Sequence, residues 1–158
     1  EGTDPLDPNS GGADPVLPDA GVWEILNPNV SNDGCNLVST LSTMGEDLYA
    51  IIPSDLIIDN VTNNSFAGTI SGQTVTCNVV GTSFSCGTIT TTESFDVLGD
   101  PADLELALEL QGIMTDSSSM MLSLGATVNT CAGAGCTLVN LLVPIPCTVA
   151  LDADGALQ

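Results

Sequence analysis

Cysteines and carboxylates are the residues of this chain whose chemistry is most distinctive. The six cysteines are Cys35, Cys77, Cys86, Cys131, Cys136 and Cys147. An even number is typical of proteins that fold in an oxidising compartment, where disulfides supplement the core. Fifteen pairings are formally open. Local geometry favours two bonds, Cys77–Cys86 across a proposed hairpin and Cys131–Cys136 around a short loop, and leaves Cys35–Cys147 to tie the two ends.

Metal binding is the competing interpretation of these cysteines. Cys131 and Cys136 fall within the loosest spacing of zinc ligands, and thiolates could supply four sulfurs. The sequence contains no His and no CxxC pair. We therefore predict structural disulfides, whose reduction should destabilise the fold strongly.

The charged residues restrict the available catalysis severely. The chain has twenty Asp and Glu and no Lys, Arg or His. Ser-His-Asp and Cys-His nucleophiles, Schiff-base lysines and arginine clamps are thus all impossible. A carboxylate pair, Glu105 with Glu109 or Glu46 with Asp47, could act as acid and base in sugar hydrolysis. Such carboxylates are more often solvated on exposed strand faces and turns. We therefore expect that the protein is not an enzyme.

A formal net charge of −20 also limits the partners. Phosphate backbones and anionic headgroups are bound through Lys and Arg, so we expect no nucleic-acid binding. Repulsion among the carboxylates must be relieved by salt, cations or a partner, and stability should rise with ionic strength or calcium.

Calcium is the candidate cation, since oxygen-rich loops attract it. Two fragments offer alternating oxygen ligands followed by glycine: Asn29, Ser31 and Asp33 before Gly34, and Asp152 and Asp154 before Gly155. Asn, Asp and Gly are also the residues that turns require, so ordinary turns are the alternative.

The sequence predicts that the elements that position these residues are β-strands. Hydrophobic residues make up 43% of the chain and aromatics 3%, which predicts an aliphatic core. Asp103–Leu110 places leucine at every second residue, and Met120–Val128 continues the alternation. Leu, Ala and Glu keep a helix open as the alternative for Asp103–Leu110. We predict further strands at Val22–Leu26, Asn36–Leu41, Leu48–Ile52, Leu56–Val61, Ser65–Ile70, Gln73–Val79, Thr82–Thr91, Leu138–Val143 and Thr148–Leu151.

Short strands about ten residues apart predict an all-β fold, an antiparallel barrel or sandwich of about eight to ten strands. Residues 21–158 would form one domain. Glu1–Ala20 is an acidic, Pro/Gly-rich segment that we expect to be a tether, with a lipid anchor upstream of Glu1 as one means of surface attachment. Val16 and Leu17 are its only consecutive apolar residues, and we expect them to contact a second copy or a partner. No apolar run is long enough to cross a bilayer.

Gly21-Val22-Trp23, at the start of the first strand, resembles the GxW opening of lipocalins. That resemblance implies an up-and-down barrel that binds a small apolar ligand. The basic residue that packs over the Trp in that family has no counterpart here, since the chain has no Lys or Arg. A filled or a hollow barrel interior would distinguish the alternatives.

Our leading expectation is a non-enzymatic extracellular structural or interaction module. It would be a surface lipoprotein-like domain or the subunit of an extracellular assembly, and it would associate with itself or with another extracellular protein. The lipocalin-like binder is the alternative.

Overall fold

A computed structural model describes residues 14–44, Tyr49 and residues 53–158. In that part of the chain, nine strands and two short helices follow one another. In chain order they are β1 (Gly21–Asp33), α1 (Leu37–Met44), β2 (Asp55–Asp59), β3 (Ser65–Ile70), β4 (Gln73–Val80), β5 (Ser83–Cys86), β6 (Ile89–Val97), β7 (Asp100–Asp116), β8 (Ser119–Ala132), α2 (Cys136–Leu142) and β9 (Cys147–Leu157). The predicted all-β class is confirmed.

All strand pairs are antiparallel, and the sheet closes on itself. Its order is β5-β4-β3-β2-β1-β9-β8-β7-β6, with an additional pairing of β5 with β7. The long strand β7 pairs with β6 through its first half and with β5 through residues 111–113. Closure between β5 and β7 therefore makes an up-and-down barrel, and β6 extends beyond it as an edge strand on β7.

Side chains at every second position of the strands point inward and fill the barrel. The inward positions of β7 and β8 include Leu110, Met114, Met120 and Leu122, all buried. They pack with Trp23 and with residues from β2, β3, β4 and β5 in the main hydrophobic cluster. Because side chains alternate across a strand, the intervening residues face outward.

A second hydrophobic cluster lies beside the helices. It contains Cys35, Val128, Val143, Cys147, Val149 and Leu151, with Leu37 of α1 and Val139 of α2 packed against it. The Cys35–Cys147 disulfide joins the start of α1 to the start of β9, and Cys131–Cys136 joins β8 to α2. Cys77 and Cys86 are opposite each other on β4 and β5. These are the three predicted pairs.

Two predicted strands, Asn36–Leu41 and Leu138–Val143, are wrong, because helices α1 and α2 occupy these segments. In α2 Cys136 is buried and Leu138 and Val139 are half-buried, and Val143, directly after the helix, is buried. Cys136, Val139 and Val143 are three and four residues apart, a spacing that fits a helix and not a strand. The predicted strand Leu48–Ile52 lies, apart from Tyr49, outside the described residues.

The predicted strand Thr82–Thr91 also differs from the structure. It divides into β5 and the start of β6, and Gly87 and Thr88 separate the two. β6 continues to Val97, six residues further than predicted.

Residues 14–20, the second part of the predicted tether, lie across one end of the barrel. The Val16 N–H donates to the Gly81 carbonyl over 2.9 Å, and the Asp19 N–H donates to the Ser117 carbonyl over 2.8 Å. Pro18 is fully buried. This segment joins the turn between β4 and β5 to the turn between β7 and β8. The remainder of the predicted tether, residues 1–13, falls outside the described residues.

In the described part of the chain, no helix is long and apolar enough to cross a membrane.

Candidate functional site

The barrel interior is filled by its own side chains. The cavity found inside the described part of the barrel has a volume of about 20 Å³ and is lined by Ile25, Pro28, Ile70, Leu110, Leu122, Leu124, Leu151 and Ala153. A cavity of that size holds about one water molecule, whereas pockets for small ligands measure roughly 300–1,000 Å³. This interior cavity is too small for a ligand of ordinary size.

A much larger space opens on the outer face of the sheet, across β4, β5, β7, β8, β9 and β1. This outer groove has a volume of about 800 Å³. Its lining residues are Asn27, Asn29, Asn78, Val80, Ser83, Phe84, Ser85, Gln111, Gly112, Ile113, Met121, Leu122, Ser123, Asp152, Ala153 and Asp154.

Three exposed apolar side chains mark the outer groove. Val80 is 79% exposed, Ile113 44% and Met121 49%. Ile113 and Met121 are cross-strand partners on β7 and β8, so their side chains share one face. Single exposed apolar residues are ordinary, but neighbouring ones in a concavity mark a contact surface.

Close backbone approach at Gly112 shapes the middle of the outer groove. Gly112 pairs with Phe84 on one side and with Leu122 on the other. A Cβ atom at Gly112 would lie 2.3 Å from the Met121 carbonyl oxygen and 2.6 Å from Cζ of Phe84. Only glycine lets the Phe84 ring pack at this position.

The polar side of the outer groove comes from β9 and from an irregular part of β1. The pairing of β1 with β9 shifts register between Leu26 and Asn29, and Asn27 there has a φ of 51°. The Asn27 amide nitrogen donates to the Asp154 carboxylate over 3.1 Å. Asp152 is the cross-strand partner of Asn29 and, like Asp154, is exposed. The groove therefore combines an apolar surface with two carboxylates.

The two fragments predicted as calcium loops are not loops, because both lie in strands. Asn29, Ser31 and Asp33 belong to β1, and Asp152 and Asp154 belong to β9. Alternate residues of a strand project in a row and do not converge on a point. Among the residues that the structure describes, no group of three or more His, Cys, Asp or Glu could hold a metal ion.

Asp33 has a structural role at the start of α1. Its two carboxylate oxygens accept the N–H groups of Leu37 over 2.7 Å and of Val38 over 3.0 Å. The first N–H groups of a helix lack partners within the helix, so an acceptor there stabilises it. The sequence pattern was consistent with this role, since Asp precedes the apolar run of α1 by four residues.

The predicted acid–base pairs are not brought together in the described residues. Glu105 and Glu109 lie four positions apart on β7, about 13 Å at the rise of a strand. Carboxylate pairs of glycosidases are separated by roughly 5 to 9.5 Å. Glu105 accepts from Asn129 and Glu109 from Thr88, each over 3.5 Å. Glu46 and Asp47 fall outside the described residues.

Val16 and Leu17, predicted to contact a partner, pack against the main core of their own chain. Both side chains are half-buried, and the hydrogen bond from the Val16 N–H to the Gly81 carbonyl holds this segment against the barrel. Apolar side chains beside Pro18, itself buried, gain more by covering the barrel end than by remaining exposed.

Three residues of the outer groove, Asn29, Asp152 and Asp154, were singled out by the sequence patterns, but as calcium ligands, and its apolar residues were not singled out. One signal was present, since Ile113 and Met121 occupy outward positions that otherwise hold Glu109, Gln111 and Ser123. Two apolar residues at neighbouring outward positions of paired strands indicate a contact surface.

The fold thus defines a disulfide-linked, antiparallel up-and-down barrel with a filled interior and an acidic outer surface. Searches of protein-family models, curated proteins and solved structures found no match to this chain.

Proposed function

We propose that this protein is a non-enzymatic extracellular interaction module that binds a positively charged segment of a partner protein in the outer groove. One observation carries the proposal: the large concavity lies outside the barrel, where Val80, Ile113 and Met121 are exposed.

The filled interior favours this proposal over a lipocalin-like binder. Ligand barrels keep an internal space, while the interior cavity here measures about 20 Å³. The three disulfides are compatible with an extracellular setting.

Charge complementarity selects the partner. The chain has no Lys, Arg or His, so Asp152 and Asp154 beside the groove have no cationic side chain of their own to pair with. A second copy would bring another net charge of −20 and oppose the contact. A segment with Lys or Arg next to an apolar side chain matches both parts of the outer groove.

A short peptide tests the proposal, because it can occupy the groove without forming a strand. The probe is the capped tripeptide Lys-Trp-Lys, with Glu-Trp-Glu as its control, followed by methyl NMR. We expect Lys-Trp-Lys to shift the methyl signals of Val80, Ile113 and Met121. The Ile57 methyl, on an exposed side chain of β2 outside the groove lining, should not move.

Variants make the test quantitative. Joint replacement I113S and M121S should weaken binding about tenfold, equivalent to roughly 1.4 kcal/mol, whereas I57S should leave it unchanged. Shifts spread over all exposed methyls, equal binding of Glu-Trp-Glu, or equal loss with I57S would contradict the proposal.

A further inference from the structure

β6 lies at the edge of the sheet and has one unpaired side. It is nine residues long and ends the strand order next to β7. In the described part of the chain, no second strand pairs with it. Unpaired edges are templates for another strand, and proteins usually block them with Lys, Pro or bulges. β6 contains no Lys or Pro, and its pairing with β7 has no register shift.

The hairpin turn shows which residues of β6 face the open side. Leu98 and Gly99 form a two-residue loop between Val97 and Asp100, with φ values of 57° and 94°. Such a loop is a type I′ turn, which makes Val97 and Asp100 a hydrogen-bonded pair. Bonded and non-bonded pairs alternate along an antiparallel ladder. The odd residues of β6 therefore bond to β7, and the backbone groups of Thr90, Thr92, Ser94 and Asp96 point to the open side.

The two faces of β6 specify what kind of strand would fit. On the inward face, Phe95 is 42% exposed, Ile89 and Val97 are half-buried, and the exposed Glu93 lies two residues before Phe95 in the same row. On the outward face, Asp96 lies beside the row of Asp103 and Glu105 on β7. An added strand would thus place alternate residues against a row of mostly apolar side chains with Glu93 at its centre, and the others on the face that carries Asp96, Asp103 and Glu105.

We propose that the open side of β6 accepts an extended basic segment of a partner protein, with β-branched apolar residues alternating with Lys or Arg. Backbone hydrogen bonds from Thr90, Thr92, Ser94 and Asp96 supply the pairing, and the alternation supplies the selectivity. This goes beyond the outer groove, because it uses another strand and another type of contact.

A second copy of the chain is a poorer occupant. An antiparallel pair of β6 strands centred on Glu93 sets the two Glu93 residues opposite each other. Like charges directly opposite are destabilising, and neither copy has a cation to offset them.

The test uses a capped nine-residue peptide that alternates Lys and Val, beginning and ending with Lys. Its control is a peptide of the same composition with all Lys residues first. Amide hydrogen exchange of the full chain is followed by NMR. We expect exchange at Thr90, Thr92, Ser94 and Asp96 to slow at least tenfold with the alternating peptide only.

Two blocking changes separate strand pairing from charge attraction. T92P removes an N–H group from the open side and should weaken binding at least tenfold, while T92A should bind as the unchanged protein does. Proline is tolerated at such an edge position, because its N–H is not used by the sheet. Methylating alternate backbone nitrogens of the peptide blocks the same bonds without any change to the protein.

Equal binding of the methylated peptide, or equal protection by the control peptide, would overturn the proposal. Peptide-independent protection of these amides together with a concentration-dependent dimer would assign the edge to a second copy instead. The groove variant I113S with M121S should bind the alternating peptide normally, so failure of one proposal leaves the other testable.

Discussion

The Phe84 ring packs at Gly112, where a Cβ atom would lie 2.6 Å from ring atom Cζ. Gly112 stands between β5 and β8, at the point where β5 closes the barrel against β7. The aromatic ring of the closing strand is accommodated because the opposite residue has no side chain. The Phe84 ring also makes a T-shaped contact with Phe66, at a centroid distance of 5.3 Å.

G112A should therefore destabilise the protein. The added methyl group meets the Met121 carbonyl as well as the ring, and overpacking of this kind costs about 1–3 kcal/mol. G125A on the neighbouring strand is the matched control, because the nearest atom to its Cβ is 3.9 Å away. Urea unfolding of both variants measures the difference, and equal stabilities would show that the closing strands shift without cost.

Removal of a disulfide should destabilise the fold more when the loop that the disulfide closes is longer. Cys35–Cys147 spans 112 positions and Cys77–Cys86 spans 9. The chain-entropy model gives about 5 kcal/mol for the first and about 3 kcal/mol for the second. Unfolding in urea of variants with both cysteines of one pair replaced by Ala measures the two losses of stability. A larger loss for Cys77–Cys86 than for Cys35–Cys147 would show that local packing around Cys77 outweighs loop length.

Mass spectrometry of the non-reduced chain should show six fewer hydrogens than the reduced chain, one pair for each disulfide.

D33A should lower stability by about 1 kcal/mol, because the N–H groups of Leu37 and Val38 lose their acceptor. The loss should be the same with and without millimolar calcium, since both carboxylate oxygens already accept helix N–H groups. Thermal unfolding at two calcium concentrations provides the measurement. S31A, in the same fragment and exposed, is the control. A calcium-dependent loss for D33A alone would restore the metal-site interpretation of this fragment.

Asp116 should contribute to the loss of stability in acid. Hydrogen bonds from the backbone N–H and then the hydroxyl of Ser118 hold the pKa of Asp116 below its ordinary value of 3.8. A lowered pKa in the folded state means that the unfolded chain binds the proton more readily. The contribution is present above the ordinary pKa and is lost as the pH falls through the lower, folded value. D116N should flatten the decline of melting temperature below pH 4, as thermal unfolding at a series of pH values would show.

Strand alternation made most of the sheet predictable. β3 matches its predicted range, and β7 and β8 contain theirs. In β7 and β8, apolar residues at every second position fit a strand with one buried face. α1 and α2 were missed because a short, mostly apolar segment fits a buried strand and a short helix equally well. Their identity depends on tertiary contacts, namely the Asp33 carboxylate and the second cluster.

The groove and the open side of β6 could not be predicted in the same way. The outer groove is lined by six strands, and its shape depends on the Gly112 approach and on the irregular pairing near Asn27. Whether β6 is an edge depends on β5 reaching β7, a contact between strands separated by another strand in the chain. Neither feature produces a local pattern in the sequence. The apolar residues Ile113 and Met121 at outward strand positions were one sign of the outer groove.

The hydrogen bonds of residues 14–20 give the molecule a defined polarity. The chain enters the barrel beside Gly81 and Ser117, at the end where β7 finishes. Leu98, 91% exposed, lies in the turn that precedes the other end of β7, about 50 Å away along the strand path. A molecule held to a surface through its N-terminal side would display the Leu98 turn and the open side of β6 outward. The length of β7 would then set the distance between that surface and the site where a partner binds.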